Sequence, residues 1–205
     1  MLKLYGCPNT RSLRAAWALE EAAAEYDYQH VDLFKGEHRT PAFLAVNPGA
    51  KVPALIDGSI VVTESGAILT HIGERFPQAG LVPLDAALRA QYFEWCFFVL
   101  SELEQPLWTI AKHRFALPPD WRVPAIEATA LREFARAAKV ADARLAGRRF
   151  AVGEAFTGAD ILISHTVMWA RSAGVTHASP ALEAYAEAVW ARPARSAADA
   201  RERAT

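Results

Sequence analysis

Asn47-Pro48-Gly49-Ala50-Lys51-Val52-Pro53-Ala54-Leu55, followed by Asp57-Gly58 and then by Thr63-Glu64-Ser65-Gly66-Ala67-Ile68, puts a strand-entry proline, a tight hairpin and a helix start into one short stretch. Pro53 has no N–H, and an X-Pro bond is the only kind that goes cis cheaply. A cis Val52-Pro53 bond would turn the backbone so that Val52 offers its N–H and C=O sideways to an extended ligand. Asp57-Gly58 between Val52–Ile56 and Ser59–Val62 predicts a hairpin. Glu64 and Ser65 open the next helix, where free N–H groups and the positive end of the dipole favour a carboxylate. The stretch therefore offers backbone pairing to a peptide, a hydroxyl and amides to its carboxylate, and an acidic side chain to its amine.

Outward from there, residues 1–78 read as βαβ, a short helix or turn, then ββα. Strands are expected near Leu2–Tyr5 and Tyr28–Leu33, with a helix from Thr10 to Ala24 carrying Leu13, Ala16 and Trp17 at helical spacing. Thr40–Val46 is a short helix or turn, and Ser65–Arg75 a helix stopped by Phe76-Pro77. A parallel crossover followed by an antiparallel hairpin is the thioredoxin-like arrangement. Residues 79–84, with Gly80 and Pro83, read as a linker. Residues 85–205 read as all-helical. Asp85 caps a helix running to Phe115 and bent at Pro106. Pro124–Ala146 sets Leu131, Phe134, Ala138, Ala141 and Leu145 on one face and stops at Gly147. Thr157 and Asp160 form a capping box before an apolar helix, Ile161–Ala170, at the centre of this domain. Ser179-Pro180 opens the last long helix and Arg192-Pro193 ends it.

Composition narrows the function. Hydrophobic residues make up 52% of the chain, enough for a substantial core, and a net charge of −1 gives no footprint for nucleic acid or an anionic membrane. Two cysteines, Cys7 and Cys96, make no disulfide framework, and no Cys/His spacing implies a metal. No apolar run approaches the roughly 20 residues a bilayer span needs. The expectation is a cytoplasmic protein with no metal, nucleic-acid or membrane partner.

The stretch at Asn47–Ile68 resembles the glutathione-binding half of the cytosolic glutathione transferases. So do Leu2-Lys3-Leu4-Tyr5-Gly6 with Cys7-Pro8-Asn9-Thr10-Arg11-Ser12-Leu13-Arg14, and Phe34–Leu44, which is similar to the theta and phi types. Phe156-Thr157-Gly158-Ala159-Asp160-Ile161 resembles the family's capping motif. The resemblance covers essentially the whole chain. It implies an α/β thioredoxin-like N-terminal domain, an all-α C-terminal domain and a homodimer built on the helices after Glu64 and Asp85.

The resemblance also implies residue roles. Lys51, Val52 and Pro53 match the positions that hold the cysteinyl backbone and a carboxylate. Glu64 and Ser65 match those at the γ-glutamyl end, and His38 and Arg39 the pair near the glycine carboxylate. The family's glycine before the lysine is Ala50 here, which shifts the expected turn by one residue. Activation of the thiol falls to the turn before the first helix, where two readings stand. Thr10 aligns with a serine whose hydroxyl donates to the glutathione thiolate, with Ser12 as a further hydroxyl. Cys7 aligns instead with the nucleophile of omega-type and glutaredoxin-like proteins. Tyr5 is expected to pack, and Arg14 to make a surface or interdomain salt bridge. Tyr92, Trp95, Phe98 and Trp108 are candidates to line a second-substrate pocket, with Trp108 and His113 preferred. Three functions follow: a detoxifying glutathione transferase acting on an apolar electrophile, a Cys7-dependent thiol reductase, and a non-catalytic glutathione-binding scaffold.

Overall fold

The computed structural model describes residues 1–204. By contacts the chain divides into two units. Met1–Pro83 and the residues from Ala191 onward form one, and Leu84–Trp190 the other. The expected division at 79–84 left the C-terminal segment with the helical domain; its contacts instead lie with the N-terminal one.

The first unit is built on a sheet of four strands in the order β2-β1-β3-β4. The strands are β1 Leu2–Gly6, β2 Tyr26–His30, β3 Ala54–Asp57 and β4 Ile60–Thr63. β1 runs parallel to β2, with Leu4 opposite Tyr28, and antiparallel to β3, with Leu4 opposite Leu55. Alternate residues Leu2 and Leu4 of β1 and Tyr26 and Tyr28 of β2 are buried, the period-2 signature of a covered face. Helix α1 (Ser12–Glu21) packs against the sheet, α3 (Ser65–Arg75) and the C-terminal helix, and every residue from Ser12 to Leu19 is buried. A short helix α2 (Pro41–Leu44) starts on the Thr40 hydroxyl, which accepts from the Phe43 N–H.

Three expectations need correcting here. β2 begins two residues earlier than expected and ends at His30. The hairpin turn is Gly58-Ser59, since Asp57 pairs with Ile60. Gly58 takes φ +61° at the first turn position, and the Asp57 carboxylate turns to His71 Nε2 at 3.0 Å and Arg75 Nε at 3.4 Å. Finally, Pro193 does not end the helical chain but begins another helix.

The second unit is helical. Asp85 caps α4 (Ala86–Phe98) by accepting from the N–H groups of Ala87 and Leu88. A π-type turn over Val99–Leu103 leads into α5 (Glu104–Ala111), so the disturbance expected at Pro106 sits one turn before it, and a second π-type turn spans Lys112–Ala116. In α6 (Ile126–Leu145) the buried face is Ala130, Phe134, Ala137, Ala138, Ala141 and Leu145; Leu131 is on the exposed side. α7 (Gly158–Ser172) is buried from Gly158 through Val167 and forms the centre. The Asp160 carboxylate at its start accepts from the N–H groups of Ala151 and Thr157, the Thr157 hydroxyl and the Tyr185 hydroxyl. α8 (Pro180–Trp190) closes this unit, and α9 (Pro193–Arg203) returns to the first. Pro193 is the first residue of α9, where its fixed φ suits the helix and its missing N–H has no partner to lose. Arg192 fastens this start with two bonds to the Glu21 carboxylate, at 2.6 and 2.7 Å.

Candidate functional site

The turn from β1 to α1 brings Cys7, Thr10 and Ser12 together. Thr10 Oγ1 donates to the Cys7 carbonyl at 2.7 Å and lies 2.8 Å from Ser12 Oγ. Ser12 Oγ accepts the Cys7 N–H at 3.1 Å, and the Ser12 N–H donates to Thr10 Oγ1 at 3.2 Å. Each hydroxyl has one proton, so the Ser12 proton goes to Thr10 while the Thr10 proton goes to Cys7. Two donors into Thr10 Oγ1 polarise its own O–H, which points at the Cys7 carbonyl. Ser12 is fully buried, whereas Thr10 is part-buried, so of the two residues only Thr10 reaches the surface, with Ser12 bracing its hydroxyl. By backbone geometry the residue at the N-cap is Arg11, one after Thr10, but the capping bond comes from Thr10.

Cys7 is only 7% exposed. Burial pushes its thiol above the ordinary range, partly opposed by a hydrogen bond from the Leu33 backbone. Its surroundings therefore favour the protonated thiol over a nucleophilic thiolate.

Ser65 is the first residue of α3 and is 4% exposed; Glu64 before it is exposed and takes φ +67°. Arg14, which was expected at a surface or domain boundary, is fully buried and donates from Nη1 to Ser65 Oγ at 3.2 Å. Because Ser65 accepts this bond, its own proton remains available to an acceptor in front of α3. Arg14 is a contributor whose part sequence reasoning missed. The available signal was a cation among the apolar residues of α1, which must be paired if it is buried.

Val52-Pro53 is cis and leads into β3, whose Ala54 pairs with Tyr5 beside the Cys7 turn. The loop before it is closed by Asn47, a second missed residue, 93% buried and marked only by its place in an Asn-Pro-Gly turn. Asn47 Nδ2 donates to the Lys51 carbonyl at 2.7 Å, and its Oδ1 accepts the Gly49 N–H at 2.9 Å. Ala50 adopts φ +51°, so alanine takes the left-handed conformation that glycine adopts more easily. Lys51 leaves this loop exposed.

His38 and Arg39 lie in a single turn, Glu37–Arg39, on the connection between β2 and β3. Burial and then the charge of Arg39 hold the His38 imidazole below its ordinary range, so His38 is a neutral group and Arg39 the exposed cation of the pair. Tyr5 packs edge-on against Phe43, as expected. The pocket candidates lie in the other unit. Tyr92 and Trp95 are core residues, at 0% and 2% exposure. Trp108 is half-buried on α5. His113 accepts the Val123 N–H on Nδ1 at 3.0 Å, committing that nitrogen to the loop. Among the described residues no group of three His, Cys, Asp or Glu side chains is placed to hold a metal ion.

Residues 1–74 match the family profile of the glutathione S-transferase N-terminal domain, and residues 105–193 that of its C-terminal domain. The chain belongs to the glutathione S-transferase family. A zeta-class glutathione S-transferase of Euphorbia esula is 36% identical over 166 residues, covering 79% of this chain and 72% of that protein. Glutathione S-transferase 3 of Zea mays is 32% identical, covering 94% and 90%. A glutathione transferase homologue from Sulfitobacter, solved with bound glutathione, superposes with a TM-score of 0.85 at 28% identity over 98% of each chain. The four-stranded sheet with its helices and the separate helical unit are the glutathione S-transferase fold.

Proposed function

We propose that this glutathione S-transferase binds glutathione across the β1–α1 turn, the cis Val52-Pro53 segment and the start of α3, and activates its thiol with the Thr10 hydroxyl. The observation that carries this reading is the hydrogen-bonded set of Ser12, Thr10 and Cys7. The polarised hydroxyl is that of part-buried Thr10, while the competing thiol is buried and its pKa is raised.

Each role follows from the chemistry at hand. Val52 pairs through its backbone with the cysteinyl residue, held by Pro53 and by the Asn47-closed loop. Lys51 and Arg39 are cations for the glycine carboxylate, and neutral His38 is a hydrogen-bonding neighbour. The γ-glutamyl carboxylate takes the Ser65 proton and the amides opening α3, and its amine pairs with Glu64. Thr10 turns its proton from the Cys7 carbonyl to the sulfur, a charge-assisted bond that strengthens as the thiol ionises to solvent. The thiolate then forms a carbon–sulfur bond at an electrophilic carbon, and the leaving group departs with the electron pair. Positioning and electrostatics supply the acceleration. The electrophile is apolar. The working protein is a cytoplasmic homodimer acting in detoxification.

The test is conjugation of glutathione to a chlorinated dinitrobenzene by wild type, Thr10→Val and Cys7→Ala, with disulfide reduction measured alongside. Removing one preorganised donor should cost about 100-fold in rate in Thr10→Val, while Cys7→Ala keeps conjugation. Disulfide reduction that dominates and vanishes in Cys7→Ala would replace this reading with the thiol reductase.

A further inference from the structure

We propose that Glu202, near the end of the C-terminal helix α9, is a positioning residue for the thiol-activating turn and acts on it through Tyr28. The inference rests on the glutathione reading above and adds a residue far from the turn in sequence.

The observations begin with α9 itself. Its sequence, Pro193-Ala-Arg-Ser-Ala-Ala-Asp-Ala-Arg-Glu-Arg203, is strongly polar, yet its buried face consists of Ala198 and Glu202, one turn apart. Glu202 is 2% exposed. A carboxyl group taken out of water costs free energy unless it is hydrogen-bonded, and an apolar side chain would dock the helix without that cost. Glu202 Oε1 accepts from Tyr28 Oη at 3.0 Å. Tyr28 is buried on β2, and its hydroxyl lies against the turn: a Cβ placed on Gly6 would come within 2.4 Å of Tyr28 Oη and 2.8 Å of Ser12 Cβ. The phenol is thus wedged against Gly6, which opens the turn and which Ser12 crowds as well. Gly6 precedes Cys7, whose N–H and C=O hold Ser12 and Thr10, and Ser12 bonds to Thr10 directly. A continuous contact path runs from the α9 carboxyl through the phenol to the hydroxyl that faces the ligand.

The charge state of Glu202 then bears on the thiolate. Burial raises its pKa to about 8, with Asp199 on the same helix adding to the shift and Tyr28 and Arg203 opposing it. Cys7 from the turn feels the Glu202 charge directly, with Asp32 as a second acid. From α1 and β2 the facing groups are Glu20, paired with Arg201 and accepting from Tyr26, and Glu21, paired with Arg192. Near neutral pH Glu202 is an uncharged acid that orients Tyr28. Above that range it becomes an anion beneath the turn and opposes a second anion, the glutathione thiolate.

The test measures glutathione affinity by calorimetry, and bound thiolate by ultraviolet difference absorbance, for the full-length protein between pH 6 and 9. Wild type and Glu202→Gln are compared; glutamine keeps the acceptor for Tyr28 but cannot ionise. The ligand's own ionisation is common to both proteins, so their ratio isolates Glu202. Wild type should lose affinity relative to Glu202→Gln by about tenfold across pH 8, the equivalent of one pKa unit on the bound thiol. Parallel profiles for the two proteins, with wild type binding glutathione normally, overturn this inference and leave the glutathione reading standing. A wild type that does not bind glutathione overturns both. Should Glu202→Gln not fold, Tyr28→Phe carries the test. Removing the hydroxyl between Gly6 and the carboxyl should raise the pKa of the bound thiol, and an unchanged value overturns the inference.

Discussion

Arg14 Nη1 donates to Ser65 Oγ across 3.2 Å, joining the helix behind the Cys7–Ser12 turn to the first residue of α3. Both residues are buried, and 51 positions of sequence separate them. The bond makes the two ends of the proposed glutathione site one mechanical piece. It also sets a fixed positive charge behind the position proposed for the γ-glutamyl carboxylate.

Arg14→Met therefore tests whether this link serves binding as well as folding. Loss of a buried hydrogen bond from a charged donor should cost about 2–3 kcal/mol of stability, read as a lower midpoint in urea. The Kd for glutathione should rise about tenfold, the effect of losing about 1.4 kcal/mol at the carboxylate end. A variant that is less stable but binds glutathione as wild type does would confine Arg14 to the fold.

Ala50 occupies the left-handed region at φ +51° in the loop that presents Lys51. An L-residue there costs about 1–2 kcal/mol, partly offset because alanine restricts the unfolded chain more than glycine does. Ala50→Gly should thus stabilise the protein by about 0.5–1 kcal/mol, seen as a rise in Tm, with glutathione binding retained. A fall in Tm would mean that the Asn47-closed loop gains more from a stiff residue than it loses to backbone strain.

Glu202 ties stability to pH with a definite sign. Its pKa rises from an ordinary 4.5 to about 8 on folding, so the folded state holds the proton more tightly. The associated stabilisation is complete below about 4.5 and is lost as pH rises to about 8, at up to about 1.4 kcal/mol per pH unit. In urea unfolding across this window, wild type should lose stability relative to Glu202→Gln as pH rises, and the difference should level off above pH 8. Parallel stability profiles for the two proteins would show that the carboxyl is not buried as described.

The parts of the fold that follow local rules were legible in the sequence. The Asp85 cap, the Thr157–Asp160 pair, the helix beginning at Ser65 and the proline leading into β3 each depend on residues a few positions apart. The parts that escaped depend on distant partners. Pro193 reads equally as the end of one helix or the first residue of the next, and only the docking of α9 on α1 decides between them. Arg14 and Glu202 look like surface charges because nothing local reveals Ser65 or Tyr28 as the groups that satisfy them inside. The same limit applied to the thiol site. Sequence put the Thr10 hydroxyl first with Cys7 as its rival, and the burial of Cys7 beside the part-buried Thr10 supports that order.

The central claim is that the Thr10 hydroxyl, not the Cys7 thiol, lowers the pKa of the bound glutathione thiol. Ultraviolet difference titration of glutathione bound to wild type, Thr10→Val and Cys7→Ala measures this directly. The account predicts ionisation in wild type and Cys7→Ala well below the free-thiol value of about 8.5, and a rise of at least about one pKa unit in Thr10→Val. A Thr10→Val titration that overlays wild type, with the low pKa lost in Cys7→Ala, would contradict it.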